Sequence, residues 1–106
     1  MPGSLRVFPT RSRQLRSRWL DFHAASKLVE LREERGLSQE RLAAEIKRYA
    51  KEQGWFSAHG AVDAFTIRRI ERDGHCPSER VRLVIALFFG LSPSDIWSPA
   101  NRRRAA

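Results

Sequence analysis

The chain has 106 residues, 42% of them apolar, enough for one domain with a modest core that needs neither metal nor disulfide support. Its one cysteine, Cys76, excludes an intramolecular disulfide and suits a reducing cytoplasm, and the apolar run at residues 84–89 is far short of the roughly 18 residues a membrane span needs. The formal charge of +8 is segregated: residues 1–18 hold five arginines and residues 98–106 three more, with no acid in either, and the twelve bases left between them match the twelve acids.

A neutral body with basic ends fits a polyanionic partner, of which nucleic acid is the commonest. Charge kept only for solubility would not need to be collected at the ends. Residues 1–11, with Pro2, Gly3, Pro9 and arginines, are expected to be poorly ordered. They lack a continuous apolar stretch, so no secretory signal is expected. From Ser12 onward Leu15, Trp19 and Phe22, or Leu20 and His23, recur at helical spacing. An added helix over about residues 12–23 is the expectation, with no strong breaker before the next one.

Residues 25–35 read as a helix with Leu28 and Leu31 on one face and Glu30, Glu33 and Glu34 outward. Gly36 stops it. Ser38 caps a second helix, with Gln39 and Glu40 in a first turn where negative charge is favoured. Its apolar side is Leu42, Ala43, Ile46, Tyr49 and Ala50, and it can run to about Gln53 before Gly54. Residues 54–62 then form a loop whose Trp55 and Phe56 should fold back onto the core, the usual fate of large aromatics.

Residues 61–74, AVDAFTIRRIERDG, are the stretch around which the rest is organised. Asp63 can cap a short helix, Ile67 and Ile70 point inward, Arg68 and Arg69 outward, and Gly74 can end it. Ser78 caps a fourth helix carrying Val81, Val84, Ile85, Leu87 and Phe88, closed by Gly90. The Ser92-Pro93-Ser94-Asp95 start predicts a last short helix, and Ile96 and Trp97 complete the core. No segment alternates as a strand. The expected fold is all-α, with five to six short helices. It has a basic arm at 1–23, a domain at 24–97 and a basic tail at 98–106.

Three runs carry a family pattern: L-R-x-x-x-G-L-S-Q-E-x-L-A at residues 31–43, T-I-x-R-I-E-R at 66–72 and G-L-S-P-S-D-I-W at 90–97. Together they resemble the helix-turn-helix domain of the Cro and lambda-repressor type, over about residues 25–97. The resemblance implies a double-stranded DNA-binding transcription regulator, a repressor of the Cro or phage immunity kind, in a bacterial or phage-infected cytoplasm. It implies a structural ion pair between Arg32 and Glu71. It also implies a phosphate contact at Gln39, where a helix N-terminus favours an anion, and a recognition helix at 63–72. There Ala64, Phe65, Arg68 and Arg69 would face the major groove, with Thr66 and Arg72 nearer the backbone.

Arginine can bond guanine bidentately, whereas alanine and phenylalanine offer apolar contact only. An outward Arg-Arg pair alone is equally a solvated basic face; within the motif, Arg69 carries the functional reading ahead of Arg68. One departure from the family is plain. About 14 extra residues, 47–60, replace the tight turn between the second and third helices. Lys47, Lys51 and His59 are the insert's candidates for DNA backbone contact, and an outward-facing insert serving another partner is the alternative.

His75 and Cys76 fall short of the four paired ligands zinc needs, with His23 and His59 remote. No nucleophile–base pattern or phosphate-cradling glycine loop suggests an enzyme. No cofactor, metal, membrane or small-molecule ligand is expected. Little sequence follows Trp97, so ligand control would need a second protein. The run at residues 84–89 is most simply core, though Phe89, Leu91 and Trp97 could spill onto a dimer surface, and paired domains would read half-sites about one helical turn apart. Two other readings stand beside this one: an antitoxin or protein-interaction module on the same domain, and an RNA-binding adaptor with arginine-rich arms.

Overall fold

Each helix begins where a short polar side chain accepts an amide proton that its first turn leaves unpaired. The computed structural model describes residues 19–55 and 62–104. In it, α1 (Phe22–Glu34) starts at Asp21, whose Oδ1 accepts the Ala24 N–H at 2.8 Å. Ser38 does the same for α2 (Gln39–Glu52), accepting from Arg41 N–H at 3.0 Å. Asp63 accepts from Thr66 N–H at 2.8 Å to start α3 (Ala64–Asp73). Ser78 caps α4 (Glu79–Phe88). At α5 (Pro93–Ile96) the Ser92 N–H donates to the Asp95 carboxylate at 2.9 Å. A 3-10 turn (Pro99–Asn101) and two two-residue strands, β1 (Trp19–Leu20) and β2 (Arg103–Arg104), complete a mostly helical chain.

The apolar faces predicted from spacing meet in one core. Leu28 of α1, Leu42 and Ile46 of α2, Ile67 and Ile70 of α3, and Val84 and Ile85 of α4 are buried together with Val62, Ile96 and Trp97. α3 packs against both α1 and α2, while α4 packs on α2 and α5. This arrangement matters for the short α3. Ten residues are too few to stay helical alone in water, so its conformation depends on those two neighbours. Trp55 folds back as expected: it lies half-buried against the core, edge-to-face with Tyr49 at 5.8 Å. Phe56 and His59 lie outside the described residues.

α3 ends at Gly74, where φ is +69°. That left-handed conformation is unfavourable for any residue with a Cβ. A Cβ here would also come within 2.7–2.8 Å of three ring carbons of Phe22. Gly74→Ala should therefore cost about 1–2 kcal/mol from the backbone, lowering the melting temperature by roughly 4–8 °C per kcal/mol. The Phe22 ring is 57% exposed and can swing outward, so the steric part should be the smaller one. Thermal melts of G74A and of F22A/G74A check this division: the double variant should recover little.

The N-terminal edge differs from the expectation. Of the described residues in the predicted 12–23 helix, only Phe22 and His23 are helical, as the first turn of α1: Trp19–Leu20 is extended and Asp21 is the N-cap. The backbone groups of residues 19–21 are committed elsewhere. The Asp21 N–H donates to the Gly74 carbonyl at 2.7 Å, and the Trp19 carbonyl accepts the Cys76 N–H at 3.0 Å. With its peptide groups spent on the turn after α3, the segment cannot also close helical bonds. α1 consequently begins three residues before the expected position. The predicted tail differs too, since residues 99–101 form the 3-10 turn and Arg103–Arg104 pair with β1. The reading of residues 1–18 lies outside the described residues.

Candidate nucleic-acid interface

Two inward residues, Ile67 and Ile70, fix which face of α3 meets solvent. Phe65 is 59% exposed on that face, and Arg68 and Arg69 are half-exposed beside it. Arg72, near the C-terminal end, is exposed and paired with its neighbour Asp73 at 3.4 Å. Ala64 is half-buried against the core, leaving it a smaller share of the surface.

The two central arginines are steered differently. Arg68 reaches sideways to Glu40, in the first turn of α2, with Nη2 3.5 Å from the carboxylate. Both side chains are well exposed there, and an exposed pair of this kind is worth at most about 1 kcal/mol. A competing anion can therefore displace Glu40 at little cost. Arg69 instead lies 5.8 Å from the Phe65 ring centroid, with Nη2 3.4 Å from His75 Nδ1. Phe65, Arg69 and His75 thus form one aromatic-cationic strip running from the start of α3 to the turn behind it.

Beneath this face sits a polar network. Glu71 receives Arg32 through two nearly parallel bonds, Nε at 2.7 Å and Nη2 at 2.9 Å. Arg32 Nη1 also donates to the Leu37 carbonyl at 2.9 Å, and Gln39 Nε2 donates to Glu71 at 3.0 Å. The carboxylate bond raises the Arg32 pKa above its ordinary value, against the opposing effect of burial. The network ties α1, α2 and α3 together at one point. It also gives Gln39 a task that its place in the sequence does not announce. Its side-chain amide nitrogen is engaged by Glu71, so an anion at this helix start would meet backbone amides first.

Asp63 has its own task. Its Oδ1 accepts both the backbone N–H and the hydroxyl of Thr66, each at 2.8 Å. Those bonds, the backbone one first, hold its pKa below the ordinary carboxylate value. Asp63→Ala should cost about 1 kcal/mol at neutral pH. The sign with pH follows from the depressed value: the contribution is full above the unfolded-state pKa, near about 4, and is lost as pH falls through the folded-state value. Thermal melts at pH 7 and at strongly acidic pH should show the gap between the parent and D63A shrinking in acid, whereas Asp63→Asn separates cap from charge.

The last turns of α2 bring Lys47 beside Asp63 and Ala64, along a shallow groove also lined by Glu40, Ala43 and Val62. Lys47 and Lys51 are both exposed. The Glu40–Arg68 and Arg69–His75 contacts are not legible in the sequence, since one joins separate helices and the other crosses a glycine turn. Among the described residues no group of three His, Cys, Asp or Glu side chains is placed to hold a metal. The buried Cys76 thiol lies 3.4 Å from Arg82 Nη1. No single helix among them is long and apolar enough to cross a membrane. The chain matches no known protein family, no characterised protein and no solved structure at a significant level.

Proposed function

We propose that this protein is a sequence-specific double-stranded DNA-binding regulator of the Cro and lambda-repressor helix-turn-helix type, acting as a repressor in a bacterial or phage-infected cytoplasm. α3 is the recognition helix. The observation that carries the reading is the outward face of α3: Phe65, Arg68 and Arg69 project from a helix whose opposite face is locked into the core. Arg69 is the principal base reader, because a bidentate arginine–guanine contact discriminates against the wrong base by about 1–3 kcal/mol. Phe65 and Ala64 supply apolar contact to a thymine methyl. Arg68, released from Glu40, faces the groove beside Arg69, while Thr66, Arg72 and the α2 start at Gln39 lie toward the backbone. Two copies on a palindromic site would read adjacent turns of the groove.

Selection from a random duplex library with the full-length protein tests this. The expected result is an enriched motif containing guanine, palindromic if two copies bind. No enrichment would overturn sequence-specific reading. One observation favours a second reading: an exposed phenylalanine beside an arginine also suits a protein partner. Stoichiometric co-purification of a protein, with no duplex enriched, would decide for that interaction module.

A further inference from the structure

The turn after α3 brings the chain back against the helix it has just left. Gly74, at φ +69°, makes the reversal, and the His75 N–H then donates to the Arg69 carbonyl at 3.3 Å. The same two residues meet again through their side chains, with Arg69 Nη2 3.4 Å from His75 Nδ1. Arginine can only donate, so in this contact Nδ1 is the acceptor and carries no proton. The Arg69 guanidinium also lies 5.8 Å from the ring centroid of Phe65, one turn earlier on α3. Arg69 is thus held from both directions along the chain, by the turn before it and the loop after it.

His75 is itself fixed. Residues 74–76 are tied one by one to residues 19–21. The Gly74 carbonyl accepts the Asp21 N–H at 2.7 Å, Leu20 bridges His75 in antiparallel fashion, and the Trp19 carbonyl accepts the Cys76 N–H at 3.0 Å. A turn residue without such bonds follows the local opening of its loop; this one has an extended segment bonded along its length. Arg68, the neighbour of Arg69, is steered instead by Glu40, with both side chains well exposed.

We infer that His75 is the positioning residue for Arg69, holding its guanidinium in the orientation from which it reads a base. This rests on the DNA-binding reading above and assigns that site a residue outside the recognition helix. Ordering a long, rotamer-rich side chain at the moment of binding costs affinity. A guanidinium preset by the His75 bond incurs less of that cost, and only in one orientation. A bidentate base contact needs one orientation, whereas a phosphate contact accepts many, so the gain falls on the correct base. His75 acts through Arg69 and needs no contact with DNA of its own.

The test compares the affinities of full-length variants for the duplex enriched by selection and for a copy altered at the base pair whose discrimination Arg69→Ala abolishes. The readout is the ratio of the two affinities, by fluorescence anisotropy. Arg69→Ala should cut that ratio about 5- to 150-fold. His75→Ala should cut it about 2- to 10-fold, the worth of one hydrogen bond, and no further once Arg69→Ala is present. A role confined to folding would lower both affinities alike in either background. His75→Asn, whose amide oxygen can stand where Nδ1 does, should stay near the parent. His75→Gln, whose oxygen replaces Nε2, should behave as alanine does. Contacts made by the rest of the ring are lost in both, so this comparison isolates Nδ1 and decides even if His75→Ala does not fold. In the DNA-free protein, nitrogen NMR relaxation of the Arg69 Nε–H should show more motion in His75→Gln than in His75→Asn. Equal ratios for the asparagine and glutamine variants, or a further loss from His75→Ala in the Arg69→Ala background, would overturn the positioning role. A parent protein that prefers no duplex, together with the difference in Arg69 motion, would overturn base reading by α3 and leave the His75–Arg69 coupling standing.

Discussion

Glu71→Ala should lower the unfolding free energy by about 3–5 kcal/mol. The side chains of Arg32 and Glu71 are 15% and 5% exposed, so neither can turn to water when its partner goes. Removing Glu71 strands a guanidinium that has only the Leu37 carbonyl left, and strips Gln39 of its acceptor as well. Against a total stability of about 5–15 kcal/mol, this should bring the melting temperature down by on the order of 20 °C. Denaturant unfolding of the variant provides the measurement. A loss under about 1 kcal/mol would mean that the pair behaves as an ordinary exposed bridge.

The pair's stability cost and its usefulness are separate matters. Replacing both partners by apolar residues of similar size, Arg32→Met with Glu71→Leu, should leave the protein within about 1–2 kcal/mol of the parent. Neither charge is then stranded. What that double variant should lose is definition. The three bonds at Glu71 orient the end of α3 relative to α1 and α2. Apolar contacts fix separation well but rotation about a helix axis poorly. Under the DNA-binding reading, the double variant should melt normally yet discriminate sites less well.

The Glu71 network and the β1–β2 ladder also mark where sequence reasoning stops. Cap chemistry is local, so Ser38, Asp63, Ser78 and Ser92 can be read directly, and the period-3.6 apolar pattern places Ile67 and Ile70 inward. The Arg32–Glu71 pair spans 39 residues; no local pattern announces it, and only the family resemblance reaches it. Gln39 reads as a phosphate contact, because nothing nearby in sequence shows that Glu71 takes its amide. The ladder is beyond reach for a different reason. Two residues cannot display alternation, and their partners stand at opposite ends of the chain. For Asp21 the same cap logic is available, but Trp19 and Phe22 obscure it with a spacing that imitates a helix.

Removing residues 1–18 should weaken binding to every duplex, while Arg69→Ala should alter which duplex is preferred. The truncation takes away five arginines and no acid. If all five engage phosphates, the slope of log K against log salt falls by about 4.5, which between 50 and 200 mM salt amounts to roughly 500-fold in affinity. Arg69→Ala removes one charge, so its slope change is at most about 0.9, but discrimination at one base pair should drop by about 1–3 kcal/mol. The two effects should multiply, because the arm charges act through the backbone and Arg69 through a base edge. A cycle of parent, truncation, Arg69→Ala and both, measured on a selected site and a scrambled one, tests that independence. The composition of α3 explains the division. Its outward arginines are offset by Asp63, Asp73 and, across the helix pair, Glu40, so the helix has little net attraction for a polyanion. A truncated protein that kept its full salt slope would mean that the N-terminal arm does not touch the duplex.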